Sequence, residues 1–220
     1  MVGGMIMGKL LIIKTGSSNK SVIQRCGDCD FRIAKYAGLS REDVIVSCVY
    51  KNSIPISLDG VSSIIITGSP AMVTDKEPWC VEVSNWLKDI VQKDIAILGI
   101  CFGHQILAHT LGGSVDYHKL GEEKGEVDIQ LTEEGKKDPL LSVLPADFSA
   151  HAFHKQTVTK LPYNAKVLAR NHFESSHAVA FGNKIWGVQF HPEYTDDGVN
   201  VQPEKTYGAR LLKQFVKIAG

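Results

Sequence analysis

Ile95-Ala96-Ile97-Leu98-Gly99-Ile100-Cys101-Phe102-Gly103-His104-Gln105-Ile106-Leu107-Ala108-His109-Thr110-Leu111-Gly112-Gly113 decides how this chain folds. Ile95 to Ile100 is apolar throughout, as a central parallel strand buried on both faces must be. Gly103 to Leu111 reads as a helix stopped by Gly112-Gly113. Where strand meets helix stands Gly99-Ile100-Cys101-Phe102-Gly103, a G-x-nucleophile-x-G elbow with cysteine as the nucleophile. The nucleophile of such an elbow occupies a sharp, strained turn, and side chains on its flanks would collide with backbone. The turn lifts the sulfur above the carboxyl edge of the sheet, where open α/β folds bind ligands. Unpaired N–H groups and partial positive charge at the helix start favour a thiolate. The competing reading is a buried structural cysteine between two ordinary glycines.

Outward from this segment, strands and helices alternate. Lys9 to Lys14 is a short buried strand closed by Thr15-Gly16-Ser17. Val44 to Val49 and Val61 to Thr67 are further strands, the latter ending at Gly68-Ser69-Pro70. Pro78 to Val91 carries Trp79, Val83, Trp86, Leu87, Ile90 and Val91 at helical spacing, with proline suited to the first turn. This order argues for an α/β sheet covered on both faces. In the second half, Glu126 to Leu131, Val167 to Ala169 and Ala178 to Phe181 read as strands. Gly182-Asn183 and then Lys184 to Phe190 complete a hairpin-like pair. Tyr207 to Ile218 returns to helical spacing.

The chain has 220 residues, 44% of them hydrophobic, and formal net charge +0. That is enough apolar material for a substantial core. The balanced charge points neither to disorder nor to nucleic-acid binding. The densest charged run, Glu133 to Asp138, reads as a solvated turn. No long apolar stretch suggests a membrane helix. Met1 to Leu11 lacks a positive start and Lys9 interrupts its apolar run, so no signal peptide is expected. Five cysteines without a framework spacing fit a reducing, cytoplasmic setting. Cys26-Gly27-Asp28-Cys29 is a C-x-x-C that reads as a redox couple, as half a metal site, or as a polar loop or helix start with two free thiols.

The second chemical signal is Gly187-Val188-Gln189-Phe190-His191-Pro192-Glu193. In an extended strand, His191 and Glu193 share a face. Pro192 pushes His191 toward extended geometry. A carboxylate on one ring nitrogen orients the other toward a thiol.

Gly-Ile-Cys-Phe-Gly-His-Gln (99–105) together with Gly-Val-Gln-Phe-His-Pro-Glu (187–193) resembles the class I, triad-type glutamine amidotransferases. Within that family the chain is similar to stand-alone relatives of the GMP synthetase glutaminase domain and to γ-glutamyl peptidases. The resemblance runs from about the first strand to the His-Pro-Glu segment. It implies a flavodoxin-like open mixed sheet with helices on both faces, and hydrolysis of a γ-glutamyl amide through a cysteine thioester. It implies Cys101 as nucleophile, His191 as general base and acid, and Glu193 as orienting carboxylate. Phe102, Gly68 and Ser69 match the oxyanion hole, with Ser69 where the family has the second glycine of Gly-Gly-Pro. Gln105 resembles a substrate-amide contact. Phe153-His154-Lys155-Gln156 falls where the family grips the substrate's α-amino and α-carboxylate groups, and departs from the Ser-His-Gly-Asp form of GMP synthetase.

No repeat or linker divides residues 1–220, so a single domain of this type is expected. No cofactor is implied and no metal is expected. His151 and His154 are at i, i+3 without a supporting ligand pattern, and His104 and His109 are expected to pack or face solvent. Three functions compete: a glutaminase feeding ammonia to a separate synthetase partner, a self-sufficient γ-glutamyl peptidase, and an inactive binding or regulatory module. The complete Cys-His-Glu set argues against the last.

Overall fold

The first strand, β1 (Lys9–Lys14), sends Leu10 and Ile12 into one apolar layer and Leu11 and Ile13 into another. This two-sided burial fixes a sheet with a core on each face. The computed structural model describes residues 8–51, 53–55, 57–194 and 206–220. Most of Met1 to Leu11, read above for a leader, therefore lies outside the described residues.

After β1 come α1 (Lys20–Cys26), α2 (Cys29–Ala37), β2 (Val44–Cys48) and β3 (Val61–Ile66). Then follow α3 (Pro78–Ile90), β4 (Ala96–Ile100), α4 (Phe102–Thr110), β5 (Ser114–Tyr117) and β6 (Glu123–Leu131). The chain continues through α5 (Glu133–Lys137), β7 (Asp147–His154), β8 (Gln156–Lys160), β9 (Lys166–Arg170), β10 (Ala178–Gly182), β11 (Ile185–Val188) and α6 (Tyr207–Ala219).

The main sheet runs β2-β1-β3-β4-β11-β10-β9-β6-β7, and β5 pairs with β8 in a small separate sheet. The strands from β2 to β11 are parallel, and those from β10 to β7 alternate antiparallel. This is an open, mixed, flavodoxin-like α/β sheet. Residues of α2 and α6 pack against one face (Ile33, Tyr36, Leu212, Phe215). Residues of α3 and α4 cover the other (Trp79, Val83, Leu87, Ile106, Leu107). No helix among the described residues is long and apolar enough to cross a membrane.

The elements anticipated in the parallel half appear within a residue or so of their expected ends. The helices α1 and α2 and the strands β5, β7 and β8 were not anticipated. Asp28 explains α2: its carboxylate accepts from the Cys29 N–H, and Gly38 closes the helix in the left-handed region at φ 78°. The run Glu133 to Asp138 is not a bare turn but contains α5, because the Thr132 hydroxyl accepts from the Gly135 N–H and caps it. Strand β7 reads Asp-Phe-Ser-Ala-His-Ala-Phe-His, with too few large apolar residues to announce itself.

Candidate active site

The carboxyl ends of β1, β3, β4 and β11 lie side by side, and the residues that follow them converge there. At the end of β4, Cys101 adopts φ 51°, ψ −103°, a strained conformation for a residue with a side chain. The flanking glycines make the turn possible. A Cβ at Gly99 would lie 2.4 Å from the Gly103 carbonyl, and one at Gly103 would lie 2.3 Å from the Ile66 oxygen. The cysteine is the residue preceding α4 and is 7% exposed. Its thiol donates to the Phe153 carbonyl at 3.7 Å and lines the same cleft as the His191 imidazole.

His191 is held from two sides. Its backbone N–H donates to the His151 carbonyl at 2.7 Å, and its Nδ1 donates to Glu193 Oε1 at 2.8 Å. Strand alternation was the expected reason for the second contact, but β11 ends at Val188. A tight turn brings the two together instead, closed by the Tyr194 N–H on the His191 carbonyl at 3.1 Å. Burial alone would depress the imidazolium. The charges of Glu193 and Cys101, and hydrogen bonds to both, carry its pKa well above the ordinary range. Burial likewise opposes ionisation of Glu193. The charge and hydrogen bond of His191, a backbone N–H and the Arg32 charge together hold its carboxyl below its usual value.

Gly68 and Ser69, on the strand end beside the elbow, border the same cleft. A Cβ at Gly68 would stand 2.9 Å from His191 Cε1, so only glycine leaves room for the ring there. The Thr15 hydroxyl bridges the Thr67 and Gly68 carbonyls at 2.9 and 3.0 Å, and the Ser69 hydroxyl donates to the Thr15 carbonyl at 2.7 Å. These bonds anchor the segment through two of its carbonyls and the Ser69 hydroxyl. Among the described residues the backbone N–H groups of Gly68, Ser69 and Phe102 donate to no protein acceptor.

Two cavities meet at Cys101, sharing Ser69, Pro70, Cys101 and Phe153. The smaller, about 140 Å3, also touches Gln105, His154 and two residues of opposite charge, Glu122 and Lys155. The larger, about 360 Å3, opens beside His191 and touches Ser17, Ser18, Asn19, Arg32 and Tyr194. Phe153 is exposed between them. Gln105 and His154, expected at the substrate, turn their nitrogens inward. Gln105 Nε2 donates to the Gln156 carbonyl at 2.8 Å and to Gln189 Oε1 at 2.9 Å. His154 contacts the same Gln156 carbonyl through Nδ1 at 3.0 Å and Glu123 Oε2 through Nε2 at 2.9 Å.

The C-x-x-C takes its helix-start form: Cys26 ends α1 and Cys29 begins α2, both as free thiols. Burial pushes the Cys29 thiol up to about 12. Asp28, Cys29 and Asp30 form a cluster with metal-ligand spacing, but the Lys14 ammonium already sits 2.6 Å from Asp28 and 2.7 Å from Asp30. That internal cation neutralises the charge a metal would need. Sequence reasoning missed Arg32, Glu122 and Tyr194. None belongs to a recognisable motif, and only the fold brings them to the cleft.

A family profile described as "Glutamine amidotransferase class-I" matches residues 28–206. The chain belongs to the class I glutamine amidotransferase family. It is 32% identical over 217 residues to the GMP synthase [glutamine-hydrolyzing] of Porphyromonas gingivalis, covering 98% of this chain and 37% of that protein, so it spans little more than a third of that relative's length. It is 31% identical over 194 residues to a GMP synthase [glutamine-hydrolyzing] subunit from Methanocaldococcus jannaschii, covering 86% of this chain and 89% of that one. The crystal structure of a glutamine amidotransferase from Thermotoga maritima shares the fold with a TM-score of 0.76, covering 97% and 98% of the two chains at 20% identity.

Proposed function

We propose that the protein hydrolyses a γ-glutamyl amide, glutamine in the first instance, through a thioester on Cys101. The observation that carries this reading is the convergence, in one cleft, of Cys101 at a strained elbow with His191, whose Nδ1 is held by Glu193. The Cys101 sulfur, as thiolate, attacks the γ-carboxamide carbon, forming a C–S bond. The tetrahedral oxyanion takes the N–H groups of Phe102 and of Gly68 or Ser69. The His191 imidazolium gives its proton to the departing amine as the C–N bond breaks. Neutral His191 then takes a proton from water, whose oxygen attacks the thioester and releases glutamate and the thiolate. Glu193 keeps the imidazole in the required orientation and stabilises its cation.

The smaller cavity supports a zwitterionic acyl group, because Glu122 and Lys155 offer opposite charges in the cavity that the nucleophile also lines. A second reading draws on the larger cavity. Ammonia needs no chamber of about 360 Å3 on the leaving-group side, whereas the amino-acid part of a γ-glutamyl peptide fits one. In the first reading a separate synthetase chain takes up the ammonia, in keeping with the Methanocaldococcus jannaschii relative, which is itself one subunit of a GMP synthase. The deciding experiment measures glutamate released by pure protein from glutamine and from several γ-glutamyl dipeptides, with Cys101→Ala as the blank. Faster turnover of glutamine supports the glutaminase, faster turnover of dipeptides supports the peptidase, and release equal to the blank on every substrate overturns both as stand-alone activities.

A further inference from the structure

Arg32 lies outside every motif in the sequence, yet it borders the cleft of the candidate triad and touches the Glu193 backbone. It is an arginine on α2 with only 3% of its surface exposed. An unpaired guanidinium does not survive such burial, so its partners define its purpose. Nε donates to the backbone carbonyl of Glu193 at 3.2 Å. Nη1 donates to the Gly27 carbonyl at 2.7 Å, and Nη2 to the Ser18 hydroxyl at 3.2 Å. The guanidinium carbon stands 4.8 Å from the centre of the Tyr194 ring. One planar cation therefore ties together the α1–α2 turn, the segment after β1 and the turn that carries Glu193 and Tyr194.

We propose that Arg32 is a positioning residue for the reaction: it fixes the Glu193 turn by its hydrogen bond to the Glu193 carbonyl and places a buried cation beside that turn. The inference rests on the Cys101–His191–Glu193 reading. Its physical ground is local. Glu193 Oε1 is held by His191, while its Oε2 is buried with no hydrogen-bond partner among the described residues, so nearby charge bears on that carboxylate. The charged groups acting on it are His191 and Arg32, and it acts in turn on Cys29, as do Lys14, Asp28 and Asp30. Of these, Arg32 is the one permanent cation that the Glu193 backbone itself grips. The geometry also ties the C-x-x-C segment to this arginine, whose Nη1 donates to Cys26 Sγ at 3.7 Å. Gly27 offers its carbonyl to Arg32, and Asp28 caps α2, the helix that delivers it.

The test compares Arg32→Gln, which loses the charge and the fork, with Arg32→Lys, which keeps the charge alone. Two readouts are followed against pH: turnover of whichever γ-glutamyl substrate the protein accepts, and the rate of Cys101 alkylation by iodoacetamide, which needs no substrate. Both variants are first checked for folding by circular dichroism and thermal melting. In Arg32→Gln, kcat should fall about tenfold, the loss expected when a catalytic group drifts from its place. KM should move less than about twofold, and the acid limb of both profiles should shift up by about half a pH unit or more. In Arg32→Lys the limb should stay in place while kcat falls. A folded Arg32→Gln whose limbs coincide with wild type overturns the positioning role. A wild-type alkylation profile equal to that of an unperturbed thiol, and equal to that of His191→Ala, overturns the triad reading instead. The two failures are thus separable.

Discussion

His191 and Glu193 are two positions apart in sequence, and their side chains meet at 2.8 Å across a turn that the backbone closes at Tyr194. In the proposed mechanism the imidazole moves protons and the carboxylate acts through it. His191→Ala should therefore give single-turnover rates no higher than the Cys101→Ala blank. Glu193→Gln should retain measurable activity, about three to four powers of ten below wild type, because the amide can still hold the ring but not stabilise its cation. Rapid-quench measurements on the best γ-glutamyl substrate check both. Activity in His191→Ala comparable to that of Glu193→Gln would take His191 out of the reaction.

The smaller cavity makes a separate prediction about binding. Lys155 and Glu122 border it, carry opposite charge and make no part of the Cys101–His191–Glu193 line. Lys155→Ala should raise KM for glutamine about tenfold, the scale of one charge-assisted hydrogen bond, and leave kcat within about threefold. Glu122→Ala should do the same. Steady-state kinetics with glutamine and with an analogue lacking the α-carboxylate separate the two. The Lys155 variant should lose its ability to tell the two compounds apart. Unchanged discrimination would place the α-carboxylate elsewhere.

The parallel half of the sheet was legible because buried parallel strands are continuous apolar runs: Lys9–Lys14, Val61–Ile66 and Ala96–Ile100 announce themselves. The elbow was legible because its glycines are forced by contacts under 3 Å, which leave a fixed spacing in the sequence. The antiparallel strands β7 and β8 were not, since β7 interleaves Ser149, His151 and Phe153 with small alanines. The site followed the same division. Cys101, His191 and Glu193 sit in motifs. Arg32 reaches them through a contact 161 residues away in sequence, which no local pattern encodes. Gln105 and His154 were expected to contact substrate, but their nitrogens turn inward to Gln156, Gln189 and Glu123, whose placement only the fold supplies.

The last prediction concerns stability against acid. His104 is fully buried on α4, and neither ring nitrogen has a hydrogen-bond partner among the described residues. It packs against Phe181 at 5.5 Å between ring centres, and its Nδ1 lies where a Cβ on Gly187 would be, at 2.3 Å. Burial depresses its pKa to about 4; the Glu174 charge opposes this, and the charges of His154 and His177 add to it. In the unfolded chain a histidine titrates near pH ~6.5. Between these values the unfolded chain binds a proton that the native protein does not, so stability must fall as pH falls through that window. The limiting slope for one proton is ~1.4 kcal/mol per pH unit. Glu193 and Glu123 have depressed folded values and lose their contributions only at lower pH, below about 4.3 where the unfolded carboxyls titrate. His191, whose folded value is raised, is charged in both states below pH ~6.5 and adds slope only above it, with the opposite sign. His104→Leu removes the titrating ring while keeping an apolar side chain against Phe181. Urea unfolding at pH 6.5 and at pH 5 should therefore show a smaller acid-induced loss in the variant than in wild type, by about 2 kcal/mol. Contributions from the other histidines cancel in that comparison. Equal losses in the two proteins would mean that the folded protein accepts the proton on His104, with the buried Glu174 carboxylate as its counter-charge.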